Sequence, residues 1–198
     1  EAASGTYEEQ VVSDIASSST LTVAVGSDGY LVSDMTSASP KLINTNMTEN
    51  LVAVSCVSDR FFAITDAGVF VTSSDGITWT QFSPDETVSC VLNTVTSVNK
   101  AGVAAGDDGC LLLCSDGQVI QVHSGVTEDL LTSVSSGEEL LVAGRSGTVL
   151  TSSNGIAFRS LGQDELPVFD EIPNWMCSYY ADGYFLLGGD AGQIAYGT

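Results

Sequence analysis

The segment VAVGSDGYLVS, residues 23–33, places a turn that ends in Gly29 between two short apolar strands. Four further segments repeat this pattern: FAITDAGVFVT (62–72), VAAGDDGCLLL (103–113), LVAGRSGTVLT (141–151) and LLGGDAGQIAY (186–196). Successive turn glycines are 39, 41, 38 and 45 residues apart, so the chain is an internal repeat. A period of about 40 residues is typical of β-propellers, whose units bury their apolar faces only against neighbouring units.

Each repeat predicts four antiparallel strands. A first strand upstream of the turn glycine is marked by two apolar residues three apart. The pairs are Val12/Ile15, Leu51/Val54, Leu92/Val95 and Leu131/Val134. In the fifth repeat, Trp175 and Ser178 take these places. Downstream, the turns SSDG (73–76), CSDG (114–117) and SSNG (152–155) predict a fourth strand. Four such strands form one blade, so the sequence predicts an all-β, five-bladed propeller in a single domain over residues 1–198.

The two chain ends complement each other. The fifth repeat stops after its third strand and has no fourth strand of its own. The segment SGTYEEQ (4–10) is similar to the start of a fourth strand, because Gly5, Thr6 and Tyr7 echo the GITW of residues 76–79. We therefore predict that this N-terminal strand completes the last blade and removes its open edge. The residues on the other side of that pairing are Gln193, Ile194, Ala195 and Tyr196.

Composition excludes several function classes. Five Lys and Arg against 25 Asp and Glu give a formal net charge of -20. Such a surface repels phosphate backbones and anionic lipids, so nucleic-acid binding is not expected. No apolar run is long enough to span a membrane, so membrane insertion is not expected either. The charge would attract cations such as Ca²⁺, but the sequence assigns no residues to a metal site and predicts no cofactor.

Two features bear on the compartment. The five cysteines are equally consistent with buried free thiols and with one or two disulfides, and Cys110 and Cys114 are too far apart along one extended strand to bond each other. The triplet Asn46-Met47-Thr48 lies in a polar loop and is a candidate glycosylation site if the protein is secreted. Such triplets are also common by chance.

The segment SSDGITW (73–79) resembles the Asp-box, or BNR repeat, of sialidase-type propellers and of propellers similar to photosystem II assembly factors. Ser73, Asp75, Gly76, Thr78 and Trp79 lie on the motif, which is one residue shorter here than its commonest form. The resemblance implies a propeller fold in which the box is a structural turn: the Asp side chain caps it, the Gly takes a positive φ and the aromatic residue packs between blades. It implies no catalysis.

Enzymatic activity is the weakest of three hypotheses. Sialidases use an arginine cluster, but Arg60, Arg145 and Arg159 occupy different positions in their repeats and need not converge. Five-bladed glycosidases pair carboxylates across a central funnel, and many acids here fall in turns, where turn geometry explains them. His123 is the only histidine, and no metal-ligand spacing surrounds it.

Two non-catalytic hypotheses remain. A lectin would hold sugars on aromatic side chains, and its candidates are Trp175, Tyr179 and Tyr180; Trp175 alternatively takes the core position of Leu51. The leading hypothesis is a structural unit of an extracellular or cell-surface fibre or filament, similar to the bead of a tandem-propeller fibre. The terminal strands would then join copies into a polymer or tandem array by strand donation.

Overall fold

The computed structural model describes residues 11–34, 39–85, 87–162 and 164–198, which form five antiparallel sheets. Each sheet follows the chain order of one repeat. The first sheet contains β1 (Val12–Ser17), β2 (Thr22–Gly26), β3 (Leu31–Ser33) and β4 (Lys41–Leu42). The second contains β5 (Leu51–Val57), β6 (Arg60–Thr65), β7 (Phe70–Ser73) and β8 (Thr80–Phe82).

The remaining sheets continue the series. The third contains β9 (Leu92–Val98), β10 (Ala101–Gly106), β11 (Leu111–Ser115) and β12 (Gln118–Val122). The fourth contains β13 (Leu130–Ser135), β14 (Leu140–Gly144), β15 (Val149–Ser152) and β16 (Arg159–Ser160). The last sheet contains β17 (Trp175–Ala181), β18 (Tyr184–Gly189) and β19 (Ile194–Gly197).

The predicted strand order is confirmed in the part of the chain that the structure describes: four sheets have four strands and the last has three. The predicted completing strand, with Gly5, Thr6 and Tyr7, lies outside the described residues. The first strands of successive sheets lie next to each other, β1 by β5, β5 by β9, β9 by β13 and β13 by β17. Across the described residues, no comparable contact joins β17 to β1.

The core lies between the sheets. Four apolar clusters are described, and each joins the face of one sheet to the facing side of the next. Burial of these side chains is the main favourable contribution to folding, and it explains why one repeat cannot fold alone.

The fourth repeat corrects one prediction of register. The sequence pattern placed Leu131 on the core side of the first strand, but Leu130 is fully buried and Leu131 is only partly buried. Leu130 lies 17 residues before its turn glycine, as Leu51 and Leu92 do, and the same break in pairing follows all three residues. Because side-chain direction alternates along a strand, a displacement of one residue exchanges the two faces.

The glycine turns bring the second and third strands of each sheet together. In three sheets the turn is a single 3-10 turn, Ser27–Gly29, Asp107–Gly109 or Arg145–Gly147. Gly109 has φ +68, and a Cβ there would lie 2.1 Å from the backbone oxygen of Val126. Only glycine fits this position, since it combines a left-handed backbone with a close approach to the following segment.

Candidate functional site

Polar side chains directly before the first strands bridge neighbouring sheets. The Asn50 Oδ1 atom accepts the backbone N–H of Asp28 in the first sheet at 3.2 Å, and its Nδ2 atom donates to Asp66 Oδ2 in the second sheet at 2.8 Å. Asn174 makes the same two kinds of contact between the fourth and last sheets, at 3.1 and 2.8 Å. One amide thus holds the turns of two sheets together.

The joint between the third and fourth sheets uses a charged version of this bridge. Asp129 Oδ1 accepts the backbone N–H of Asp108 at 3.2 Å, and Asp129 Oδ2 accepts Arg145 Nε at 2.8 Å. At the bridging position Asp129 replaces asparagine, and at the partner position Arg145 replaces an aspartate. The sequence analysis missed these bridging residues, although each lies 18 residues before its turn glycine.

The free edge of the last sheet, which is the side of β19 that faces away from β18, is the first candidate site. Among the described residues, β19 pairs only with β18. In the first and fourth sheets, the carbonyls of Leu31 and Val149 each accept an N–H from the chain segment at their fourth strand, at 2.9 Å. Ile194 occupies the same position relative to its turn glycine. Its backbone therefore faces the place where a fourth strand would pair.

The outer face of the last sheet, which is turned away from the fourth sheet, is the second candidate site. The cross-strand partners Tyr179, Leu186 and Tyr196 lie on this face, together with Ile194. All four side chains are exposed. Tyr184 and Tyr196 pack edge to face, with ring centroids 6.5 Å apart. The sheet thus presents a broad apolar and aromatic surface to solvent.

The turn of the Asp-box has the geometry of a structural cap. Ser73 Oγ accepts the backbone N–H of Gly76 at 2.8 Å, and Asp75 Oδ1 accepts those of Ile77 and Thr78 at 2.8 and 2.7 Å. These hydrogen bonds, chiefly that from Thr78, lower the pKa of Asp75 to about 2. Trp79 packs against the core of the first two sheets. The residues of this motif hold a turn between strands.

The candidate sugar platforms do not form one surface. Trp175 is fully buried, at the position equivalent to Leu51, and packs edge-on against Phe169. Tyr180 stacks on Phe185 with ring centroids 4.8 Å apart, on the side of the fourth sheet. The Tyr179 side chain lies on the opposite, outer face of the last sheet. The three aromatic side chains therefore do not converge on one ligand.

A cavity of about 540 Å³ opens between the fourth and last sheets, with Arg159, Glu165 and Phe185 on its wall. Arg159 Nη1 lies 2.7 and 2.9 Å from the two carboxylate oxygens of Glu165, so its charge is already paired. The other two arginines lie elsewhere. Arg145 forms a salt bridge with Asp129, and the Arg60 guanidinium lies over the Phe62 ring. The three arginines do not form a common cluster.

The structure joins Cys90 and Cys110 in a disulfide and leaves Cys56, Cys114 and Cys177 as thiols. Asn46 is exposed, in the predicted glycosylation triplet. Within the described ranges, no three His, Cys, Asp or Glu side chains group as metal ligands. The same ranges contain no helix long and apolar enough to cross a membrane.

Comparisons with known proteins identify the fold. No family model and no curated protein sequence matches the chain. A solved structure of YCF48 bound to a D1 peptide matches with TM-score 0.63 and 12% identity, over 98% of this chain and 68% of that chain. YCF48 from Cyanidioschyzon merolae matches with TM-score 0.65 and 13% identity, over 98% of this chain and 70% of that chain. YCF48 has a β-propeller fold, so the likeness confirms the propeller class predicted from the repeat.

Proposed function

We propose that this protein is a non-catalytic structural unit of an extracellular or cell-surface assembly, whose copies join through their terminal strands. The observation that carries the proposal is the free edge of the last sheet. Across the described residues, the third strand of each other sheet pairs on both sides, whereas β19 pairs on one side only. An unpaired edge accepts an added strand through backbone hydrogen bonds, independently of side-chain chemistry.

The added strand in this proposal is the N-terminal segment 4–10 of a neighbouring copy. Its Gly5-Thr6-Tyr7 sequence is similar to the segment that precedes β8 in the second sheet. Insertion of this strand would give the last sheet the four strands of the other sheets. Each copy offers one donor segment and one acceptor edge, so the joint can repeat without limit.

An oxidising compartment agrees with three features of the chain. Disulfides such as Cys90–Cys110 persist mainly in secreted and surface proteins. Asn46 is exposed and therefore accessible for glycan attachment. A net charge of -20 keeps a secreted protein soluble at high concentration. Binding of glycans by the protein is not part of the proposal, because Trp175 is buried and Tyr179 and Tyr180 lie on opposite faces.

Removal of the donor segment tests the proposal. We expect the wild-type chain to form particles of several copies, measured by light scattering after size exclusion, and a variant that lacks residues 1–10 to elute as one copy. A variant that lacks only residues 1–3 keeps Gly5-Thr6-Tyr7 and should assemble like the wild type. Single copies of the wild-type chain at every concentration would show that the terminal strands do not join copies, and the proposed function would fail.

A further inference from the structure

The connection between the fourth and last sheets differs from the other connections between sheets. It covers the fourteen residues 161–174, whereas the other three cover residues 43–50, 83–91 and 123–129, which is seven to nine residues each. Half of the longer connection is apolar: Leu161, Leu166, Pro167, Val168, Phe169, Ile172 and Pro173. Connections of this length in a compact fold commonly carry binding residues.

The longer connection also packs differently against its turn glycine. In the other three connections, the residue four before the next first strand lies against the turn glycine and joins the apolar core; these residues are Met47, Val88 and Val126. In the longer connection, a Cβ at Gly147 would lie 3.2 Å from Ile172 Cγ2, but Ile172 is 67% exposed. The residue over the glycine is therefore not part of the core at this position.

A cavity of about 430 Å³, here called the loop cavity, lies between this connection and the glycine turn of the fourth sheet. Leu161, Leu166, Phe169 and Ile172 line it, together with the fully buried Trp175. Phe169 packs edge-on against Trp175, with ring centroids 5.8 Å apart. Cavities that hold small molecules have volumes of about 300 to 1,000 Å³ and mainly apolar walls. The loop cavity has the size and the lining of such a site.

Contacts at both ends of the connection fix the shape of the loop cavity. Arg159 Nη1 donates to both carboxylate oxygens of Glu165, and Glu165 Oε2 also accepts the backbone N–H of Gly162 at 2.9 Å. At the other end, the backbone N–H of Gly147 donates to the carbonyl of Pro173 at 2.8 Å. A ligand would therefore enter a preformed site and would not have to order the connection.

One carboxylate on the wall of the loop cavity is unpaired. Glu171 lines the cavity, and none of the described residues forms a salt bridge or a hydrogen bond with its side chain. The two arginines of the fourth sheet are already paired, Arg159 with Glu165 and Arg145 with Asp129. The net charge of -20 adds a negative potential over the whole surface. The cavity therefore favours a positive group next to its apolar walls.

We propose that the loop cavity binds a small organic cation, with its apolar body against Leu166, Phe169 and Ile172 and its ammonium group beside Glu171. Removal of apolar surface from water provides affinity for the body, and the carboxylate selects the charge. The walls of the cavity include neither β19 nor the N-terminal segment, so this site is independent of the proposed function.

Isothermal titration calorimetry with three probes tests the required ligand chemistry. Benzyltrimethylammonium has an aromatic ring and a cationic group, tetramethylammonium has the cationic group alone, and benzyl alcohol has the ring without a charge. We expect one benzyltrimethylammonium ion to bind per chain, at least about tenfold more tightly than either other probe. Equal affinity for tetramethylammonium would mean that cations only gather around the acidic surface. That result, equal affinity for benzyl alcohol, or no binding of any probe would overturn the proposal.

Two carboxylate variants test the location of the site. Glu171→Gln changes an exposed side chain and should weaken benzyltrimethylammonium binding at least about fivefold, the contribution of one charge pair at contact distance in water. Asp170→Asn is the matched control, because it removes the same charge from the adjacent residue, which does not line the cavity. It should bind the probe like the wild type. Equal losses in the two variants, or no loss in Glu171→Gln, would show that the cation does not bind in the loop cavity.

Discussion

At the scale of single residues, the position directly before a first strand makes the same bridging hydrogen bonds in different repeats, although the residue type there differs. Asn50 and Asn174 bridge two sheets with one amide, and Asp129 makes the same bridge with the aid of Arg145. The geometry requires an acceptor for a backbone N–H and a partner for the adjacent turn. Either an amide with a carboxylate or a carboxylate with a guanidinium satisfies both needs.

Removal of one bridge should destabilise the fold. We expect Asn50→Ala to lower the free energy of unfolding by about 1 to 2 kcal/mol, because it removes one hydrogen bond between the first and second sheets and one within the second sheet. Asn44→Ala is the control, since the hydrogen bond that Asn44 makes among the described residues stays within its own loop, where its Oδ1 atom accepts the backbone N–H of Asn46. Urea denaturation measures both variants. Equal losses for Asn44 and Asn50 would contradict the bridging role.

The Asp-box should contribute stability that depends on pH. The folded pKa of Asp75 is lowered to about 2 from an ordinary value of 3.8, so the charged form favours the folded state. Its contribution is complete above the ordinary value and is lost as pH falls through about 2. Asp75→Asn copies the natural Asn154 turn, whose amide oxygen accepts the same two backbone N–H groups. The stability of the wild type relative to this variant should fall between pH 4 and pH 2. A constant difference in the urea midpoint over this range would contradict the assignment.

At the scale of the element, the turn glycines differ in what surrounds them. A Cβ at Gly109 would meet the backbone of Val126, whereas at Gly192, which also has a positive φ, it would meet nothing within 4 Å. The turn glycine is thus enclosed within the series of sheets and open at its end. Local conformation and neighbouring contacts can be separated by comparing these two glycines.

The two glycines should respond differently to alanine. We expect Gly192→Ala to cost about 1 kcal/mol, for the left-handed backbone alone. Gly109→Ala should cost at least about 2 kcal/mol more, because the backbone of Val126 must move. Thermal or urea unfolding of the two variants measures the difference. Similar losses at both sites would show that the turn, and not the contact with the next segment, requires glycine.

The repeat pattern predicted most of the element structure, since a glycine with a positive φ fixes where each hairpin turns. It misplaced the core position by one residue, because Leu130 and Leu131 are adjacent and both apolar, so the pattern does not distinguish them. It also could not show that Leu186 and Ile194 are exposed, because these residues follow the pattern that is buried elsewhere. Whether a neighbouring sheet buries a side chain depends on the assembled fold and cannot be read from the repeat pattern.

At the scale of the whole molecule, five sheets form a series with two unlike ends. Among the described residues, the last sheet has an edge strand that pairs on one side only and an exposed apolar outer face. Unlike ends that fit each other produce head-to-tail contacts, which form filaments or closed rings according to the rotation between copies. The likeness to YCF48 shows the fold of the unit. The assembly is our proposal for its use.

Negative-stain electron microscopy of the wild-type chain at high salt tests the central claim most directly. We predict filaments or rings with a regular repeat, built from units of the 20.5 kDa chain, that disappear when residues 1–10 are removed. Dispersed particles of one chain, unchanged by that deletion, would contradict the claim that copies join at the edge of the last sheet.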